Sequence, residues 1–112
     1  MCHEPTARPP GAPETGRYAV ASQEGQVLRA ADGNHFRAFS ARTSAPEAPG
    51  IMILPDVRGL HPFYEQLALR FAEAGVHATT MDYFGRTAGI LERDESFEFM
   101  SHVRQLTAVR PK

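Results

Sequence analysis

Two carboxylates in this sequence stand where chemistry is often done. Asp56 follows Ile51-Met52-Ile53-Leu54-Pro55, with Arg58 two residues on, and Asp82 follows the run Val76–Met81. If both runs are parallel strands, each carboxylate lies beyond a strand's carboxyl end, where open α/β sheets bind ligands. Asp56 can be read as a carboxylate that braces its loop or as a site residue. Asp82 reads as structural, capping a turn through its own backbone. Covalent acyl transfer would also need an activated nucleophile beside a base. Its usual sequence mark in α/β enzymes is Gly-x-Ser-x-Gly or the cysteine equivalent on a strand-to-helix turn. Ser22, Ser40, Ser44, Ser96 and Ser101 all lack glycines two residues to either side, and the one cysteine is Cys2. The histidines at 3, 35, 61, 77 and 102 show no metal-ligand spacing. His102 is a poor triad base, because that histidine comes last in chain order.

The elements that would position these residues can be traced along the chain. Ile51–Leu54 is four consecutive apolar residues without alternation, which predicts a strand buried on both faces. Pro55 stops it and Gly59 opens a loop. A helix is predicted from near Pro62, where a missing N–H costs nothing in the first turn, to Gly75, a natural residue just past a helix end. Phe63, Tyr64, Leu67, Ala68, Phe71, Ala72 and Ala74 fall on one half of its wheel, with Leu69 an exception on the polar half. A second strand follows at Val76–Met81, so strand, helix and strand make a βαβ unit with a right-handed parallel crossover. Upstream, Gln26–Ala31 and Asn34–Arg42 flank Asp32-Gly33, which predicts a hairpin closed by a type I′ turn. Thr43–Pro49 reads as a linker, and residues 92–107 as a helix carrying a stripe of Phe97, Met100, Val103 and Leu106. Residues 1–16 hold four of the nine prolines and no apolar pattern, so a disordered tail is expected there, and over 17–112 the N-terminal part of a larger domain.

Composition narrows the function classes. Basic and acidic residues number 12 and 13 and are intermixed, for a formal net charge of -1. A surface that tracks phosphates would be strongly basic, so nucleic acid is not an expected partner. No apolar run approaches the roughly 20 residues of a membrane span, and no secretory h-region is visible. A cytoplasmic location is the default expectation, and a lone cysteine excludes an internal disulfide.

Residues 50–89, GIMILPDVRGLHPFYEQLALRFAEAGVHATTMDYFGRTAG, resemble the N-terminal half of the dienelactone hydrolase family of α/β-hydrolases. The family pattern runs through a buried strand, a carboxylate, a loop ending near Gly-Leu, a helix, and a strand ending in Asp-Tyr-Phe-Gly-Arg or similar. The hairpin around Asp32-Gly33 fits the family's start. The resemblance implies a partial α/β-hydrolase sheet of about four strands, an N-terminal hairpin plus the βαβ unit. It also implies a hydrolase of small-molecule ester or lactone bonds, using a Cys/Ser–His–Asp triad without metal or organic cofactor. By position, Asp56 takes the place of the family's glutamate, one methylene longer, that contacts the nucleophile. The backbone N–H of Val57 takes the place of an oxyanion donor, and Arg86 falls in the Gly-Arg turn, structural more than substrate-binding. Nucleophile, acid and base would follow residue 112 in a full-length member, so a truncated or split member is expected. Gly50–Leu54 would then lack the nucleophile-bearing strand beside it, and self-association through that exposed edge is expected.

Two readings compete. In a receiver-type signalling domain, Asp56 would be a phosphoacceptor at the end of an apolar strand. In a non-catalytic binding module, the chain would keep only the first half of the hydrolase fold.

Overall fold

In the computed structural model of the chain, the described residues are 7–11, 17–56, 58–85, 89–90 and 100–108. Strands β1 (Val20–Arg29) and β2 (His35–Thr43) form the hairpin; β3 (Gly50–Ile53), α1 (Pro62–Glu73) and β4 (His77–Met81) form the βαβ unit; α2 (Met100–Ala108) follows. The sheet order is β1-β2-β4-β3. β2 is antiparallel to both its neighbours, and β3 is parallel to β4. This mixed sheet is the α/β arrangement expected of a partial α/β-hydrolase. It is not the parallel doubly wound sheet of a receiver-type domain.

The hairpin differs from its expected form in two ways. β1 starts at Val20, six residues before the expected start, because pairing with β2 continues to Val20 opposite Thr43. Most of β1 is exposed, so no apolar alternation marks it in the sequence. The turn is not a two-residue type I′. Arg29 opposite His35 is the last pair, and only Gly33 in the loop has a positive φ, 91°. Asp32 acts through its side chain instead: Oδ1 accepts the Asn34 N–H at 3.1 Å.

Both ends of α1 follow from the sequence. Pro62 opens it and Gly75, at φ 94°, closes it. The Gly75 N–H donates to the Ala72 carbonyl and the Val76 N–H to the Phe71 carbonyl, the paired bonds of a Schellman cap. The centre of the core is small: Ala68 and Ala72 of α1 meet Ala41 of β2 and Ala78 of β4. Val20, Phe39, Ile53, Leu69 and Phe71 pack around these alanines. The helix turns most of its expected face inward, Phe63, Ala68, Phe71 and Ala72, and differs from it at two leucines. Leu69, the exception on the wheel, joins the core, while Leu67 stays half-buried outside it. Small residues at the contact bring α1 close to the sheet, so side chains flanking the alanine stripe reach it from both sides.

β3 departs most from expectation. Its apolar run predicts burial on both faces, but Met52 and Leu54 are 67% and 70% exposed; its place at the end of the sheet is the exposed edge expected when the nucleophile-bearing strand is lacking. Only the face toward α1 is partly covered, through Ile53. The opposite face of the sheet presents Ser22, Glu24, Gln26, Ser40, Arg42, His77 and Thr79 around a shallow depression. There the Ser40 and Thr79 hydroxyls lie 3.0 Å apart.

α2 begins at Met100 and runs one residue past the expected end; positions 92–99 of the expected helix lie outside the described residues. Of the segment expected to be disordered, residues 7–11 are described and Pro9 is buried; the remainder lies outside the described residues. Among the described residues, no helix is long and apolar enough to cross a membrane.

Candidate functional site

The described residues of the loop between β3 and α1 are braced by several hydrogen bonds. Asp56 braces it twice. Its carbonyl accepts the Gly59 N–H at 3.0 Å and the Tyr83 hydroxyl. Its Oδ1 accepts the Arg58 N–H, also at 3.0 Å, an Asx turn of the kind Asp makes with a backbone two residues on. The Arg58 guanidinium stands 3.9 Å from Oδ2.

Gly59 explains the tightness of the loop. Its φ of 76° is left-handed, and a Cβ built on it would lie 2.7 Å from Asp82 Oδ1 and 2.9 Å from the Phe84 ring. Asp82 is fully buried and holds its own turn, as expected: Oδ1 accepts the Phe84 N–H at 3.1 Å. Its N–H donates to the Arg37 carbonyl at 2.8 Å, which ties the end of β4 to β2. Both aspartates picked out by the sequence thus adjoin Gly59, Asp56 through its backbone carbonyl and Asp82 through its carboxylate.

His61 completes the cluster and was not singled out by the sequence. It is the residue before Pro62, at the start of α1, yet its side chain makes no capping hydrogen bond. The imidazole is buried, packed edge-on to Tyr64 at 5.1 Å between ring centres. Nε2 lies 3.3 Å from Asp56 Oδ1 but poorly aligned, so neither ring nitrogen has a hydrogen-bond partner. Asp56 Oδ2 is likewise buried without one. Burial lowers the His61 pKa below its ordinary 6.5; Asp56 opposes this, and Arg58 and Arg8 add to it. The imidazole is therefore neutral at neutral pH. The signal that could have found it is its position: histidine is not a favoured capping residue, and it stands five residues after Asp56.

Of the other residues singled out by the sequence, Val57, Arg86 and Cys2 lie outside the described residues, as does the His102 side chain. Ser40 is engaged with Thr79, and the Ser44 hydroxyl accepts the Ala19 N–H at 3.2 Å. Among the described residues, no group of three or more His, Cys, Asp or Glu side chains could hold a metal ion. At the carboxyl end of β4, Phe36, Met81, Asp82 and Tyr83 line a cavity of about 280 Å³.

The geometry offers a braced loop at a strand's carboxyl end, with a carboxylate–imidazole pair beneath it. Comparison with known proteins bears on what such a loop belongs to. No curated protein matches the chain. The description of the Dienelactone hydrolase family matches residues 36–111. That span takes in all but the first residue of β2, the βαβ unit and α2, and it extends on both sides of residues 50–89, which carry the resemblance in the sequence. Over most of its length, and with a sheet consistent with part of an α/β-hydrolase, the chain belongs to the dienelactone hydrolase family.

Proposed function

We propose that the β3–α1 loop is the oxyanion side of a site that hydrolyses small-molecule ester or lactone bonds. The observation that carries this reading is the double bracing of Asp56. Arg58 and Gly59, which follow the proposed donor, give their N–H groups to the Asp56 carboxylate and carbonyl respectively. An oxyanion donor works only if it is already in place when charge develops, since no reorganisation is then needed. In this reading the Val57 N–H donates to the developing oxyanion, and Asp56 Oδ2 faces the nucleophile of the complete site. In the same reading Arg86 is structural more than substrate-binding.

The 112 residues contain no Gly-x-Cys-x-Gly or Gly-x-Ser-x-Gly. The triad chemistry is therefore supplied by a nucleophile and base outside this sequence, and the chain contributes the loop. Grafting residues 55–61 into a complete family enzyme tests the role. The graft should retain turnover of an activated ester, and Val57→Pro within it should lower kcat by about 10²–10³ with KM less affected. Unchanged turnover in a Val57→Pro graft with an intact crystal structure would remove the assignment.

A further inference from the structure

The turn after β4 is the seat of the β3–α1 loop, and three consecutive residues make it. Asp82 and Phe84 crowd Gly59, where a Cβ would meet both. Tyr83 stands between them in the chain, half-buried, with its ring centre 4.6 Å from that of Phe84. Its hydroxyl donates to the Asp56 carbonyl, which also accepts the Gly59 N–H at 3.0 Å. Both lone pairs of that oxygen are thereby engaged. The Gly59 N–H belongs to the loop itself. Tyr83 instead follows β4, whose end is tied to β2 by the bond from the Asp82 N–H to the Arg37 carbonyl.

We propose that Tyr83 is a positioning residue for the oxyanion donor: its hydroxyl aims and strengthens the Val57 N–H through the peptide group which that N–H shares with the Asp56 carbonyl. The inference rests on the hydrolytic reading above and adds to it a residue from outside the loop. A peptide group is planar and trans, so its N–H points opposite to its C=O. Holding the carbonyl from two different elements therefore fixes the direction of the N–H on the far side of the same plane. The Gly59 N–H alone would let this peptide tilt together with the loop. The Tyr83 hydroxyl refers it to the sheet.

The strand register brings the two residues level. Ile53 stands opposite Thr80, the last pair of the parallel ladder. Carried three residues further along both chains, that register sets Asp56 beside Tyr83. The hydroxyl bond thus continues the link between the two strand ends after the backbone ladder has stopped. It also acts electronically. Hydrogen bonds in a chain polarise one another, so a carbonyl that accepts two bonds makes the N–H of its own peptide a better donor. That gain counts most where the acceptor gains negative charge in the transition state.

Tyr83→Phe removes the hydroxyl and keeps the ring. In the isotope-labelled 112-residue chain, the Asp56 carbonyl-carbon and Val57 amide-nitrogen signals should both move upfield, as when a carbonyl loses a hydrogen bond, with far-UV circular dichroism unchanged. For turnover, the graft of residues 55–61 is extended to carry residues 82–85 as well. Tyr83→Phe in that graft should lower kcat by about three- to tenfold with KM unchanged. This is less than the loss expected for Val57→Pro, because the donor is loosened and not removed. With the matching thionoester, whose sulfur is a weak acceptor, the loss should be smaller, whereas a general disturbance of the fold would slow both substrates alike. The two levels of failure separate. If Val57→Pro leaves kcat unchanged, the oxyanion reading falls and this inference falls with it. If Val57→Pro lowers kcat but Tyr83→Phe does not, or slows ester and thionoester equally, or leaves the two signals in place, the role of Tyr83 alone is overturned.

Discussion

His61 Nε2 lies 3.3 Å from Asp56 Oδ1, and the imidazole is only 3% exposed. This contact joins the end of β3 to the start of α1 beneath the β3–α1 loop. Its electrostatics is a contest that burial wins. The carboxylate favours the imidazolium, but the buried setting, with Arg58 and Arg8, favours the neutral ring.

A pH dependence follows from that direction. The unfolded chain binds a proton at His61 near pH 6.5, while the folded chain binds it only at lower pH. Stability from this group is thus fully present above about pH 6.5 and is lost as pH falls toward the lowered folded value. Urea midpoints measured from pH 7.5 downward should decline through this window, and His61→Gln should flatten the decline. An equally steep decline in His61→Gln would show that other groups are responsible.

Asp56→Asn removes the contribution that raises the His61 pKa. The histidine should then titrate at lower pH than in the unmodified chain, as followed by its ring-proton chemical shift. A shift to higher pH would mean that Asp56 does not act on His61 through its charge.

Gly59 and Gly89 both have left-handed φ, 76° and 72°, but only Gly59 is crowded. Gly89→Ala should cost about 1–2 kcal/mol, the price of the backbone conformation alone. Gly59→Ala should cost roughly 2–4 kcal/mol, because its Cβ must also displace buried Asp82. Chemical denaturation of the two variants distinguishes these cases, and equal losses would contradict the close contact.

The phase of α1 can be read from three substitutions. Ala72→Leu should cost about 1–3 kcal/mol by overfilling the alanine contact. Phe71→Ala should cost about 2 kcal/mol, less than for a fully buried ring, since Phe71 only partly packs on the core. Leu67→Ala should cost less than about 1 kcal/mol. A loss at Leu67 as large as that of a fully buried leucine, about 2–5 kcal/mol, would restore the phase read from the wheel.

The chain by itself should not turn over an activated ester above a Cys2→Ala control, because its sequence has no nucleophile-elbow motif and no nucleophile stands beside a base among the described residues. Saturable turnover that survives Cys2→Ala but disappears in Asp56→Asn would reveal a complete site built on the Asp56–His61 pair.

The local features were legible in the sequence because they depend on residues close in the chain. Pro62 and Gly75 bound a helix wherever it packs, and Asp32 and Gly33 bend the chain between β1 and β2. The order strand, helix, strand and the Asp-Tyr-Phe-Gly-Arg stretch were enough to suggest the family that the match over residues 36–111 then showed. Tertiary structure decided what depends on neighbours distant in sequence. An unbroken apolar run says that β3 suits an interior position, but the order β1-β2-β4-β3 leaves it on the edge with Met52 and Leu54 exposed. The meeting of Asp82 with Gly59, 23 residues apart, and the recruitment of Leu69 follow from how closely α1 settles on four alanines. The role of His61 appears only once the chain has folded back: five residues is a short separation, yet the loop's path determines whether the imidazole meets water or a carboxylate.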